Sequence, residues 1–195
     1  MNHAQFRLRY LTDERARAVI EAAVEKAGPR LDGLGRGIAF SRYKNWQSYV
    51  AVIVDLRVHR DSGRIDLERA VVAADAGQIV NPDSLSNQLE GAFMQSASWT
   101  LKEQVAFDPH GITSVDWRTY PIMRFGDAPE IQTVLLNRPG HPYLGIGEGA
   151  QGPASAAISN AVFDAVGVRL RQIPFTPERV KAALDSIQAP EQSLH

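Results

Sequence analysis

The most constraining feature of this sequence is a pair of apolar, β-branched runs separated by a short polar turn. The first run covers Tyr49–Val58, and the second begins at Ile65 and continues to Val72. The segment between them contains Asp61-Ser62-Gly63, which are residue types typical of tight turns. Because β-branched and aromatic residues fit a pleated, half-buried surface, the pattern predicts an antiparallel hairpin within a strand-rich region from Ile38 to Ala74.

Helices are predicted on both sides of this hairpin. Apolar residues at helical spacing predict a helix over Thr12–Gly28, capped by Thr12 or Asp13 and ended by Gly28-Pro29. Asn81 is a good capping residue and Pro82 suits the first helical position, so a second helix should run to about Glu103. Two further helices are predicted over Ala154–Val166 and from Pro177 to about Asp185.

The remaining segments complete the predicted organisation. They are a linker at Gly28–Gly37, two short strands around Asp108–Gly111, a strand at Glu130–Leu136, a Gly- and Pro-rich loop at Arg138–Pro153 and a short strand at Arg169–Ile173. Helices and strands that do not alternate regularly favour an α+β fold, with antiparallel hairpins or a sheet packed against helices, over a doubly wound parallel sheet. We divide the chain into an N-terminal helix and linker (1–35), a main domain (36–187) and a flexible tail (188–195).

Composition excludes several classes of function. The 195 residues include 21 Lys and Arg against 22 Asp and Glu, and no long block of like charge, so binding to nucleic acid is not predicted. The chain has no cysteine, which excludes disulfides, thiolate-bound zinc and an iron–sulfur cluster held by this chain. No apolar run approaches the roughly 18 residues that a membrane span needs. The sequence leaves cytoplasm and periplasm equally open.

The segment with the clearest chemical meaning is the loop Gly145–Pro153, which directly precedes a predicted helix. Its glycines allow a ligand to approach the main chain closely, and free N–H groups at a helix start favour an anion or an electron-rich oxygen. Glu148 is a lone carboxylate among small residues. Partial desolvation would make this carboxylate a stronger proton acceptor, as general-base catalysis requires. Glu148 is therefore the candidate catalytic residue.

Two other interpretations of this loop have to be weighed. A Gly-rich loop before a helix is often only a tight connection, and its glutamate then lies in solvent. The spacing Gly145-x-Gly147-x-x-Ala150 also fits the dinucleotide fingerprint. That second interpretation fails because Glu148 would face the pyrophosphate, because Pro139 and Pro142 interrupt the strand that should lead into the turn, and because the remaining chain is too short for a βαβ fold.

The loop resembles the G-x-G-E segment of the xanthine dehydrogenase and aldehyde oxidase family, in the branch typified by isoquinoline 1-oxidoreductase large subunits. Five further stretches follow the order found in that family: Phe6–Leu11, Arg36–Phe40, Asp75–Pro82, Gln88–Gly91 and Ala128–Ile131. The resemblance extends from about Phe6 to Lys181. Its relatives usually carry proline after the glutamate, where this chain has Gly149.

The resemblance implies that this chain is the C-terminal portion of a molybdenum-cofactor-binding domain. The metal would be held by the dithiolene sulfurs of molybdopterin, so no protein ligand to a metal is expected. Glu148 would be the general base in the hydroxylation of an N-heteroaromatic or aldehyde substrate with oxygen derived from water. Gln88 would hydrogen-bond the cofactor. The remaining cofactor contacts would be Gly147, Gly149, Ala150 and Gln151, the last three through backbone N–H groups.

The resemblance also implies partners. They are the remainder of the large subunit and an iron–sulfur small subunit. The resemblance also allows a cytochrome as a further electron acceptor, and it allows the cytosine dinucleotide form of the pterin. Because large subunits of this family are several times longer, we expect the isolated chain to be inactive and to hold no cofactor. The alternative function is a non-catalytic fragment or interaction module derived from the same family.

Overall fold

The computed structural model describes residues 3–188, so most of the predicted 188–195 tail lies outside the described residues. Five α-helices and six β-strands follow one another along this part of the chain. In chain order they are α1 (His3–Tyr10), α2 (Glu14–Ala27), β1 (Gly35–Arg42), β2 (Tyr49–Val58), β3 (Ile65–Asp75), α3 (Pro82–Leu101), β4 (Phe107–Asp108), β5 (Gly111–Ile112), β6 (Glu130–Leu135), α4 (Gln151–Val166) and α5 (Pro177–Gln188).

The main sheet has four strands in the order β1-β2-β3-β6. The predicted hairpin is confirmed: β2 and β3 pair antiparallel from Tyr49 opposite Asp75 to Val58 opposite Ile65, with a register shift after Asp55. Strand β1 adds antiparallel to β2, whereas β6 adds parallel to β3. The α+β class is therefore confirmed, but the sheet is mixed rather than wholly antiparallel.

Helices cover both faces of this sheet. On one face, Ala16, Val19, Ile20 and Ala23 of α2 pack against Ile53 and its neighbours in the strands. On the other face, helices α3, α4 and α5 form the larger core with Val50, Val52 and Val54 of the same strand β2. Successive residues of a strand point to opposite faces, so a strand covered on both sides is apolar throughout. This explains the continuous apolar run that marks β2 in the sequence.

Strand β1 corrects the predicted linker over Gly28–Gly37, because it already begins at Gly35. Gly35 and Gly37 lie against the backbone of α4. A Cβ atom added at Gly37 would stand 2.0 Å from the carbonyl oxygen of Ala157, and one at Gly35 would stand 2.2 Å from that of Ala161. These glycines therefore allow the close approach of a helix to a strand rather than a flexible connection.

Two further predictions are corrected by the structure. The segment Arg169–Ile173 is not a strand. Arg169 instead donates a hydrogen bond to Asn160, and its guanidinium lies over the ring of Phe163, so the start of this segment packs against α4. Helix α4 begins at Gln151, three residues earlier than predicted. Helix α1 was not predicted. The other predicted helices and strands are confirmed to within a few residues.

Two buried carboxylates join the sheet to its surroundings. Asp55 on β2 receives hydrogen bonds from Arg36 and Arg69, and Asp75 at the end of β3 receives them from Arg15 and Arg138. Burial raises the pKa of each carboxyl group, but the arginine hydrogen bonds outweigh it and hold both pKa values below their ordinary range. Asp75 thereby connects α2, β3 and the segment after β6.

Candidate functional site

The loop predicted to carry the chemistry lies between β6 and α4, at the end of the sheet where β2 begins and β3 ends. The N–H of Leu144 donates to the carbonyl of Ala76 at 2.9 Å, just after β3. Gly145 is held twice by the segment before β2: its N–H donates to Gln47 Oε1 at 2.6 Å, and its carbonyl accepts from Ser48 Oγ at 2.9 Å. These bonds fix the start of the loop to the sheet.

Helix α3 fixes the other end of the loop. The Nε2 of Gln88 donates to the carbonyl of Gly147, and the Nε2 of Gln151 donates to Gln95 Oε1. In addition, Ser96 Oγ donates to the carbonyl of Gln151 at 2.7 Å. The structure thus brings Gln88 into direct contact with Gly147, from which 59 residues separate it along the chain, and it holds Gln151 against Gln95 and Ser96 of the same helix.

Glu148 lies on the exposed side of this loop. Its Oε2 accepts a hydrogen bond from the hydroxyl of Tyr43 at 3.1 Å. The described residues therefore leave this carboxylate in contact with solvent and do not supply the desolvation expected from the sequence. Any burial of the carboxylate has to come from whatever covers this face.

Gly149 and Ala150 lie below the surface, in contrast to the exposed Gly147 and Glu148. The N–H of Gly149 donates to the carbonyl of Ile146 at 2.9 Å, and the N–H of Gln151 donates to the backbone carbonyl of Glu148 at 3.1 Å. These two amides are already used inside the loop, so they contribute to its shape rather than offering free N–H groups. The N-cap residue of α4, Ala150, supplies no side-chain hydrogen bond to the helix start, unlike Asp13 in α2 and Asn81 in α3.

The surface of α3 beside the loop is open. A Cβ atom added at Gly91 would meet nothing within 4 Å, so this helical glycine does not serve close packing within the described part of the chain. Gln88 and Gln95 flank it and are exposed. Next to Gln88 and Gly147 there is a mostly apolar groove of about 380 Å³, whose walls include Leu85, Ile146 and Tyr143. This face can accommodate a large, partly polar ligand.

Within residues 3–188, no cluster of three or more His, Cys, Asp or Glu side chains is arranged to hold a metal ion. The same part of the chain contains no helix of the length and apolar character needed to cross a membrane.

Five side chains that contact the loop were not predicted as site residues: Tyr43, Gln47, Ser48, Gln95 and Ser96. Tyr43 and Gln47 lie in the turn between β1 and β2, about 100 positions before the loop that they contact, and no motif marks them. Gln95 shares a helical face with Gln88 and Gly91, and this spacing was the one signal that could have identified it. Pairing between α3 and the loop is a long-range contact that local patterns do not encode.

Comparison with known proteins identifies the family. The family model described as "Molybdopterin cofactor-binding domain" matches residues 16–129, which is more than half of the chain. The chain belongs to this family. Its resemblance to the xanthine dehydrogenase and aldehyde oxidase family is confirmed, and Gln88 lies inside the matched region whereas Glu148 lies beyond it.

Relatives of this molybdopterin cofactor-binding domain include one of the subunits of nicotinate dehydrogenase from Pseudomonas putida, 38% identical over 198 residues that cover 92% of this chain and 17% of that protein. The beta subunit of isoquinoline 1-oxidoreductase from Brevundimonas diminuta is 27% identical over 179 residues, covering 88% and 22%. The crystal structure of quinoline 2-oxidoreductase from Pseudomonas putida 86 matches with a TM-score of 0.66 and 25% identity, covering 71% of this chain and 19% of that one. The chain thus spans about a fifth of the length of these relatives.

Proposed function

We propose that this chain contributes the general base and part of the cofactor-binding surface to a molybdenum hydroxylase that oxidises an N-heteroaromatic or aldehyde substrate with oxygen from water. One observation carries the proposal: Glu148 is exposed on the same loop whose neighbour Gly147 is bound by Gln88. Membership of the molybdopterin cofactor-binding family and the names of the relatives support the reaction class.

The residues on this face fit a pterin cofactor. Among the described residues, Gln88 makes one side-chain hydrogen bond, from Nε2 to Gly147, so its Oε1 is available to accept another. The open surface at Gly91 leaves room for a ring system, and the start of α4 lacks a side-chain cap. Because the N–H of Gln151 is bonded within the loop and Pro153 has no N–H, the N–H of Gly152 would be the first-turn donor for an anionic or electron-rich group. Gln88 and the start of α4 would therefore hold the cofactor, which supplies two-electron oxidation chemistry when bound.

Glu148 would accept the proton that is released as the water-derived oxygen is transferred to the substrate. The carboxylate is exposed in this chain, so the remainder of the large subunit would have to cover it and exclude bulk water. Electrons would leave through an iron–sulfur small subunit, with a cytochrome as a further acceptor. Gly149 and Ala150 would act indirectly, because they lie buried under the loop and set its shape. Gln151 would hold the start of α4 against Gln95.

The competing function is a non-catalytic interaction module. One observation favours it: large apolar side chains are strongly exposed in β4 and in the segment from β4 to β6, including Phe107, Val115, Trp117 and Phe125. Exposed apolar patches mark surfaces that contact other proteins. A domain of a larger enzyme would also expose such a surface. The effect of replacing Glu148 on turnover therefore decides between the two functions.

The test is Glu148→Gln in the enzyme assembled by co-expressing this chain with the remainder of the large subunit and the iron–sulfur small subunit. Turnover is assayed with nicotinate, isoquinoline and an aromatic aldehyde. An amide is nearly isosteric with the carboxylate but does not accept a proton at neutral pH, so kcat and kcat/KM should both fall by about 10²–10⁴-fold. Molybdenum content should stay unchanged. The matched control is Glu25→Gln, on the exposed side of α2, which should retain full activity.

An active Glu148→Gln enzyme would refute the assignment of the base and leave the interaction module as the better function. Isotope-labelled water provides a separate check, because its oxygen should appear in the product.

A further inference from the structure

The turn between β1 and β2 has an unusual backbone. Residues Tyr43–Asn45 form a single 3-10 turn in which Lys44 and Asn45 both have positive φ angles, 50° and 64°. Side chains other than glycine adopt this left-handed region rarely, and such residues cluster where a protein holds a functional group in place. Two backbone bonds close the turn: Tyr43 N–H donates to Ser48 at 2.8 Å, and Gln47 N–H donates to Tyr43 at 2.8 Å.

This turn contacts the loop that carries Glu148 at three points. Gln47 accepts from the N–H of Gly145, Ser48 donates to the carbonyl of Gly145, and the hydroxyl of Tyr43 donates to the carboxylate of Glu148. The first two contacts fix the backbone before Glu148, whereas the third acts on its side chain. The turn therefore determines both where the loop starts and where its carboxylate points.

The ring of Tyr43 is itself held in place. It is half-buried, and the ammonium group of Lys44 lies 5.3 Å from its centroid. Such a cation over an aromatic ring is attractive. A hydroxyl on a fixed ring restricts the rotamers of an exposed glutamate, which would otherwise move freely in solvent.

We propose that Tyr43 is a positioning residue that holds the Glu148 carboxylate in its reactive orientation. The inference rests on the proposed function of Glu148 and adds a residue to it. A carboxylate that has to meet one proton on one substrate benefits from a fixed direction, because misalignment by about 1 Å can cost up to 10²-fold in rate. Tyr43 touches neither substrate nor cofactor in this role; it acts through Glu148.

The test is a double-mutant cycle in the assembled enzyme. Tyr43→Phe keeps the ring and removes only the hydroxyl; it should lower kcat roughly tenfold, in line with the loss of one hydrogen bond to a charged group, and leave KM unchanged. In a Glu148→Ala background the same substitution should have no effect, because its target is absent. The matched control is Tyr120→Phe, which removes the hydroxyl that donates to Glu103 at 2.9 Å near the far end of α3, and it should leave kcat unchanged.

A second readout does not depend on turnover. In NMR spectra of the full 195-residue chain, the two γ-protons of Glu148 should have distinct shifts while the side chain is held, and should converge in Tyr43→Phe. They should stay distinct in Tyr120→Phe.

The outcomes separate this inference from the function on which it rests. If Glu148→Ala lowers kcat by about 10²-fold or more but Tyr43→Phe changes neither kcat nor the γ-proton shifts, the positioning role is wrong and the proposed function stands. Equal losses from Tyr43→Phe in both backgrounds would also overturn it, since Tyr43 would then act independently of Glu148. Retained turnover in Glu148→Ala would refute the proposed function itself.

Discussion

Replacing Gly37 by alanine tests the packing that seats α4 on the sheet. The added Cβ would lie 2.0 Å from the carbonyl oxygen of Ala157 and 2.4 Å from the nitrogen of Ala161, and real Cβ contacts under 3.0 Å essentially do not occur. Both neighbours are backbone atoms in the middle of a helix, so they cannot rotate away as a flexible side chain would. The helix as a whole has to move by about an ångström, and cores that are close-packed resist such shifts.

The expected loss of stability comes from the contacts that are broken when the helix moves. Overpacking a core costs about 1–3 kcal/mol, and a clash with backbone belongs at the upper end, so Gly37→Ala should lower the free energy of unfolding by about 3 kcal/mol. Ala154, Ala157 and Ile158 of α4 are fully buried, so the displaced helix also loses part of the larger core.

The assay is urea unfolding of the chain followed by circular dichroism, with the free energy taken from linear extrapolation. Gly91→Ala is the matched control, because it adds the same methyl group in α3 where nothing lies within 4 Å. It should stabilise the protein by up to about 1 kcal/mol, since glycine is a poor helix former. Equal stability of Gly37→Ala and the wild type would refute the close approach of α4 to β1.

Two further predictions concern acid stability and the cofactor face. Burial raises the pKa of Asp75 but the hydrogen bonds from Arg15 and the Gly77 N–H lower it further, so the unfolded chain binds this proton more tightly; the stabilisation should be present above about pH 4 and lost as the pH falls through the folded pKa. Urea unfolding at stepped pH should show this acid limb, and it should be shallower in Asp75→Asn. Gln88→Ala in the assembled enzyme should lower molybdenum content, measured by elemental analysis, while the circular dichroism spectrum of the chain stays unchanged; full molybdenum retention would contradict a cofactor contact.

Local sequence patterns predict the elements that local physics determines. The hairpin of β2 and β3 follows from its β-branched runs, and α2 and α3 follow from apolar periodicity with the capping residues Asp13 and Asn81, whose side chains do accept N–H groups at the helix starts. In contrast, the glycine spacing around Gly35 and Gly37 predicts a linker, which is wrong. The role of these glycines depends on a helix more than 100 residues later in the chain, which no local pattern contains.

The candidate site shows the same division. Glu148 and Gln88 could be selected from the sequence because each lies in a recognisable motif, and the structure connects helix α3 to the loop through the hydrogen bond from Gln88 to Gly147. Tyr43 could not be selected, since its importance comes from a hydrogen bond to a residue 105 positions away. The parallel pairing of β6 with β3 was missed for the same reason: pairing partners distant in sequence leave no periodic signal.

The seat of α4 on two glycines has a consequence for the alignment of the site. A helix rises about 1.5 Å per residue and is stiff over its length, so Glu148 just before its first turn moves with any displacement of the part that touches β1. Ala157, Ala161 and Ala165 lie opposite the two glycines. Their contact with β1 therefore limits how closely α4, and with it the loop, can approach the sheet. These small residues therefore help to set the position of Glu148, and substitutions at them would shift the proposed base in small steps without altering its chemistry.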